Sequence, residues 1–293
     1  MMMYTFNILV LLFFYQLDLS ESFSFDDPDS WVEEFPNCGG RNQSPINIDL
    51  RTVTYKKYPN SFTIYNENRK PYNYTLCNDG MALKLSGNYA DGQKSYLSGG
   101  PFGKDEYEFD HVQFIWSASD DEQSGHQLAD LNYQMETHWI HFKQEYGTLE
   151  NAKNFPDGIV IVGGLWAVKD DIDETALTTK IVPQLVNVSQ PNTKTPIEPF
   201  TFSDLEAEPD SSVDAYLYFG SETVPPCAPA TWAVLKFTYY LTSAELSAFR
   251  AVTLENGANH NMRPVQPLED REIYQTPKVS GQVITMMDLL NPI

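Results

Sequence analysis

Five histidines carry most of the chemistry open to this sequence: His111, His126, His138, His141 and His260. Two stretches around them, HVQFIW from His111 and QMETHWIH from Gln134, read as strands, rich in β-branched and aromatic residues. Side chains alternate faces along a strand, so His111, Gln113 and Ile115 project together, as do Glu136 and His138 from the next strand. A His, Gln, His, Glu set of this kind would gather types that ligate metals or move protons. By the same parity His141 falls on the face opposite His138 and reads as packing, as does His126. His260, in the polar stretch ENGANHNM, reads as a surface loop residue.

The elements that must position these groups are mostly strands. SFTIYN, MALKLSG, YEFDHVQFIWS, QMETHWIHFK, GIVIVGGLWAV, AYLYFG and TWAVLKFTYYL are bounded by Gly, Pro, Asn or Asp. Helical pattern is sparse: ELSAFRAV follows a hydroxyl cap at Thr242-Ser243, and ETALTTKIVPQL is a second case. There is no internal repeat or heptad, and the acidic stretch at 203–214 is too short to divide domains, so one strand-dominated mixed domain is expected.

The chain has 293 residues, with 19 Lys plus Arg against 40 Asp plus Glu, a formal net charge of −21 at pH 7. Such a surface repels phosphate backbones and anionic membrane and argues against nucleic-acid binding; solubility alone, or a cationic partner, accounts for it better. The start, MMMYTFNILVLLFFYQLDLSES, has an apolar run from Ile8 to Tyr15 followed by Ser20 and Ser22, and reads as a secretory signal over 1–22. That run is too short to span a bilayer, and no membrane span is expected elsewhere. The expected division is a signal at 1–22, one domain at 23–274 and a tail at 275–293, giving a secreted, extracellular product. Cys38, Cys77 and Cys227 then imply one disulfide and one spare thiol, with three pairings open. Asn73-Tyr74-Thr75 and Asn187-Val188-Ser189 fit glycosylation; Asn42-Gln43-Ser44 also matches but precedes Pro45.

Four phrases in register bring a family into view: Gln43-Ser44-Pro45-Ile46-Asn47-Ile48; Glu136-x-His138 followed by His141; Gly220-Ser221-x-Thr223-x-Pro225-Pro226 with Thr231-Trp232; and Asn261-x-Arg263-Pro264-x-Gln266-Pro267-Leu268. From about Trp31 to Leu268 the sequence resembles the α-class carbonic anhydrases. The resemblance implies a large central, mostly antiparallel twisted sheet of about ten strands, a few peripheral helices and a conical cleft over the middle strands. It also implies a Cys38–Cys227 disulfide, with Cys77 unpaired, and a structural role for Arg263.

In that family three imidazoles hold zinc, leaving a fourth position where bound water becomes a hydroxide nucleophile near neutral pH. Aligned on Trp116, the paired ligand positions fall on Gln113 and Ile115, and only His138 remains. A hydrocarbon has no donor atom and an amide oxygen is a weak ligand for zinc, so no tight zinc, and no other cofactor, is expected. His111 is a candidate substitute ligand or else a polar cleft-lining group. The proton-shuttle position falls on Met81, which cannot carry a proton. The gatekeeper threonine matches Thr223, but the glutamate it should donate to falls on Gly125. Glu136 and His138 then read as a buried hydrogen-bonded pair. Ile140, Ile161, Ala230 and Trp232 match the apolar wall, where Glu222 replaces an apolar residue.

Two functional classes follow. One is a secreted, zinc-free relative that binds a protein or cationic ligand through its altered cleft; silent members of the family give precedent. The other is a working carbonate dehydratase, converting carbon dioxide and water to bicarbonate and a proton at a non-standard metal site. Charge alone adds an acidic storage or mineral-matrix protein.

Overall fold

A computed structural model describes residues 24–90, 94–122, 125–173, 175–205 and 213–276. The expected signal segment at 1–22 and the tail beyond Thr276 lie outside the described residues, as does much of the acidic stretch at 203–214. In chain order the strands are β1 (Asn47–Ile48), β2 (Thr54–Tyr55), β3 (Thr63–Tyr65), β4 (Asn73–Asn78), β5 (Leu83–Asn88), β6 (Tyr96–Ser98) and β7 (Tyr107–Trp116). They continue as β8 (Gln127–Leu128), β9 (Met135–Lys143), β10 (Ile159–Val168), β11 (Thr193–Ile197), β12 (Ala215–Ser221), β13 (Pro229–Leu241) and β14 (Tyr274–Gln275). The α-helices are short: α1 (Trp31–Glu34), α2 (Leu149–Ala152), α3 (Phe202–Leu205) and α4 (Ser243–Arg250).

Twelve strands form one sheet, ordered β11-β4-β5-β7-β9-β10-β13-β12-β14-β2, with β6 joining β3 to β7. Most pairings are antiparallel, with β10–β13 and β14–β2 parallel, in keeping with the expected large, mostly antiparallel sheet of about ten strands. Its central strands are buried on both faces, which is why GIVIVGGLWAV reads as a continuous apolar run. Val112, Phe114, Trp116, Trp139, Val160 and Val162 enter the main core on one face. Ile140, Ile161, Ala230 and Trp232 form a second cluster on the other, with Ile46, Ile48 and Tyr218.

The expected helix at 243–250 is present, with a reciprocal capping box between Thr242 and Glu245. The other helical stretch becomes a π turn at Leu177–Ile181 followed by a 3-10 segment at Val182–Val188, since Pro183 cannot donate to a continuing helix. No helix of the described residues is long and apolar enough to cross a membrane.

Cys38 and Cys227 form a disulfide, and Cys77 is free and half-buried. Beside the disulfide, buried Arg263 donates to Gln43 Oε1 at 2.8 Å, to the Ser44 carbonyl at 3.1 Å and to the Cys38 carbonyl at 2.9 Å. The amino-terminal and carboxy-terminal phrases thus tie each other down. His260 is the main correction to the sequence reading. It is buried rather than exposed, packs against Phe25 and lies 3.0 Å from Asp26 Oδ1, because the amino-terminal segment covers its loop.

Candidate functional site

The site face is built by register. Gln113 of β7 lies opposite His138 of β9, Ile115 opposite Glu136, and His111 opposite Ile140. On β10, Ile161 lies opposite Ile140 and Gly163 opposite His138, and Trp232 of β13 pairs with Ile161. Paired residues share a face, so His111, Ile140, Ile161 and Trp232 make one row, with Gln113 and His138 in the next.

Beneath that row runs a buried polar chain. His138 Nε2 donates to Glu136 Oε2 at 2.7 Å and His126 Nδ1 donates to the same oxygen at 2.9 Å, while the His126 backbone N–H donates to Glu136 Oε1. His126 Nε2 meets the Tyr218 hydroxyl at 2.6 Å, which reaches Ser44 Oγ at 2.8 Å; Ser44 Oγ accepts from the Ser221 backbone at 3.1 Å. Burial alone would raise the Glu136 carboxyl, but the charge and hydrogen bond of His126 and the bond from His138 outweigh it and hold Glu136 well below the ordinary carboxylate range. Burial pushes His138 down despite Glu136, so the ring is neutral at pH 7. With its proton on Nε2, Nδ1 is left as an acceptor.

Several neighbouring polar atoms are buried without a hydrogen-bond partner: Thr223 Oγ1, Glu222 Oε2 and His111 Nε2. His111 Nδ1 is engaged by Asp110 Oδ2 at 2.6 Å, and Lys153 Nζ stands 3.5 Å from Glu222 Oε1. Gly125, where the resemblance implies a glutamate, has φ +76°, and a Cβ built there would sit 2.5 Å from Glu136 Oε1 and 3.1 Å from the Met262 side chain. Met81 is half-buried and rests on the main core cluster.

A sequence profile described as eukaryotic-type carbonic anhydrase matches residues 26–277. The chain belongs to the eukaryotic-type carbonic anhydrases. Carbonic anhydrase 15 of Mus musculus is 32% identical over 282 residues, 90% of this chain and 86% of the relative. Carbonic anhydrase 6 of Mus musculus is 29% identical over 266 residues, 88% of this chain and 80% of the relative. Carbonic anhydrase 3 of Homo sapiens is 26% identical over 260 residues, 85% of this chain and 95% of the relative.

The zinc that this carbonic anhydrase family implies is not matched by the donors present. Of the three ligand positions, His138 keeps an imidazole, Gln113 offers an amide, and Ile115 offers hydrocarbon, sealed in a small apolar cluster with Ala82 and Met262. Among the described residues, one group of potential ligands comes together, His126, Glu136 and His138, with ligand atoms within 4.8 Å of one another. Within that group His126 Nδ1 and His138 Nε2 both hydrogen-bond to Glu136 Oε2, which leaves His138 Nδ1 as the uncommitted donor atom. His111, the candidate substitute, is not in this group; it stands one pairing away, opposite Ile140. The seal by Met262 and the Tyr218–Ser44 extension were missed from sequence, although Ser44 stands in a quoted phrase.

His141 lies on the opposite face, as parity requires, and donates from Nδ1 to the Trp139 carbonyl at 2.9 Å. Burial lowers its pKa from 6.5 to about 3. Because the unfolded chain binds this proton more readily, stability is full above pH 6.5 and falls as pH drops toward 3, by about 1.4 kcal/mol per unit at most. Urea unfolding at a series of pH values should therefore show a slope beginning near pH 6.5, and His141→Phe should flatten it between there and the carboxylate range.

Proposed function

We propose that this chain is a secreted, extracellular carbonic anhydrase relative that holds no tight zinc, does not hydrate carbon dioxide and acts by binding. The observation carrying this reading is the ligand set: one imidazole at His138, an amide at Gln113, and Ile115 closed over by Ala82 and Met262. Replacing two of three imidazole nitrogens removes most of the affinity for a borderline-soft cation, and without that ion no hydroxide nucleophile forms near pH 7. Thr223, with no acceptor for its hydroxyl, cannot orient a nucleophile either. The competing carbonate dehydratase reading requires a rebuilt metal site from His111, Gln113, His138 and Glu136, and against it stand the weak amide donor at Gln113, the hydrocarbon of Ile115 and the engagement of Glu136 Oε2 by His126 and His138.

The Cys38–Cys227 disulfide supports an oxidising compartment, and Asn73 and Asn187 are both exposed, as glycan acceptors must be. Purified protein from a secreting cell would be assayed for zinc by elemental analysis and for carbon dioxide hydration with and without added zinc. Substoichiometric metal and a rate equal to buffer are expected; one tightly held zinc with rapid hydration would sink the reading. Glycosidase treatment of the same material should lower its mass at both sequons.

A further inference from the structure

We propose that the altered cleft binds a primary alkylammonium group, received by Glu222 and Thr223; this rests on the metal-free binding role above and names its ligand class. Glu222 and Thr223 are each more than nine-tenths buried, yet Glu222 Oε2 and Thr223 Oγ1 have no hydrogen-bond partner. A buried carboxylate oxygen left unpaired is strongly unfavourable, and with a second unpartnered polar atom on the next residue it calls for a ligand that brings donors. The backbone explains their placement: the Glu222 N–H donates to the Ala228 carbonyl at 2.8 Å, and Ala228 belongs to the apolar cluster with Ile140, Ile161, Ala230 and Trp232. Trp232 Nε1 donates to the Ser221 carbonyl at 2.8 Å, which fixes the start of this segment beside the indole.

Charge and geometry together select the ligand. Among the described residues the cation paired with Glu222 is Lys153, 3.5 Å from Oε1 and only partly exposed, and Oε2 stays without a partner. An anion meets a carboxylate and is repelled. A quaternary ammonium carries charge but no N–H. A primary ammonium brings three donors, enough for Glu222 Oε2 and Thr223 Oγ1, while the Ile140–Ile161–Trp232 row is itself buried. At the far end of the row, His111 Nε2 is a further unpartnered acceptor.

The test is calorimetric titration of the full chain with n-butylammonium, butyltrimethylammonium, butanol and butyrate, and with a blocked tripeptide carrying a central lysine. Butylammonium is expected to bind, at millimolar strength for so small a ligand, and the other three four-carbon probes to fail. Glu222→Gln should weaken it by about tenfold or more, the loss of a charge-assisted hydrogen bond, and Glu222→Leu should abolish it. Lys153→Ala, which removes the competing ammonium, should tighten it, a gain that a misfolded variant cannot mimic. Equal binding of the tripeptide assigns the site to a protein lysine; its exclusion assigns a free amine. No heat from butylammonium up to about 100 mM, or equal affinity in Glu222→Gln, overturns the proposal. Zinc content and hydration measured on the same preparation separate the two readings: an inactive, zinc-free protein that ignores butylammonium sinks the ligand assignment alone, whereas a zinc-loaded, active one sinks the function proposed above.

Discussion

Glu136→Gln unfolds with about 3 kcal/mol less free energy than the wild type, and Glu136→Ala with about 3–5 kcal/mol less. The carboxylate collects three donors inside the fold: His138 Nε2, His126 Nδ1 and the His126 backbone N–H. An amide has one acceptor oxygen and turns its NH2 toward a group that is itself donating, so at least one buried N–H is orphaned. Alanine orphans all three. Because the Glu136 pKa is depressed in the fold, its contribution is complete above the ordinary carboxylate value of 4.5 and is lost as pH falls further below it. The difference between wild type and Glu136→Ala in urea unfolding should therefore be full at pH 7 and shrink in acid. A loss smaller than about 1 kcal/mol at pH 7 would mean that the chain of bonds from His138 to Ser44 is not holding the sheet together.

The second large effect is a gain. Gln113→His with Ile115→His should take the protein from no tight zinc to one zinc per molecule, read by elemental analysis after dialysis. His138 already presents Nδ1, fixed by Glu136, and registers opposite position 113. The variant should be less stable by about 1–3 kcal/mol before metal is added, because position 115 is packed between Ala82 and Met262. Hydration of carbon dioxide should remain slow. Met81 leaves no proton shuttle, a role worth about 10²–10⁴-fold, and Thr223 has no acceptor to orient it. Stoichiometric zinc with slow turnover is the expected pair of results; failure to take up zinc would show that the backbone around β7 and β9 no longer suits a metal.

The long strands were legible because β7, β9, β10, β12 and β13 carry dense β-branched and aromatic residues. Those that escaped have physical excuses. β4, NYTLCN, is framed by asparagines that earn their place by bonding elsewhere: Asn78 Nδ2 donates to the carbonyls of Val188 and Thr253, both at 2.9 Å. β11 contains Pro196, which a sheet tolerates because β11 is an edge strand. Strand parity put Gln113, Ile115, Glu136 and His138 on one face, since alternation is a local property. It did not reveal that His126, from a loop, would share Glu136 with His138, or that His260 would be buried by Phe25 and Asp26. His260 meets Asp26 across 234 residues and His126 reaches Glu136 across 10 through a loop, and no local pattern encodes either contact. The Met262 seal on Ile115 is of the same kind.

The turn at Gly125 makes the change in this cleft behave like a ratchet. Two substitutions on β7 are enough to put imidazoles at 113 and 115, and position 113 already registers opposite His138. At residue 125 the main chain is left-handed, at φ +76°, and any side chain there would drive into the Glu136 carboxylate. An acceptor side chain at 125 would need the loop and its buried neighbour to rearrange together, so supplying one is a matter of conformation and not merely of spelling.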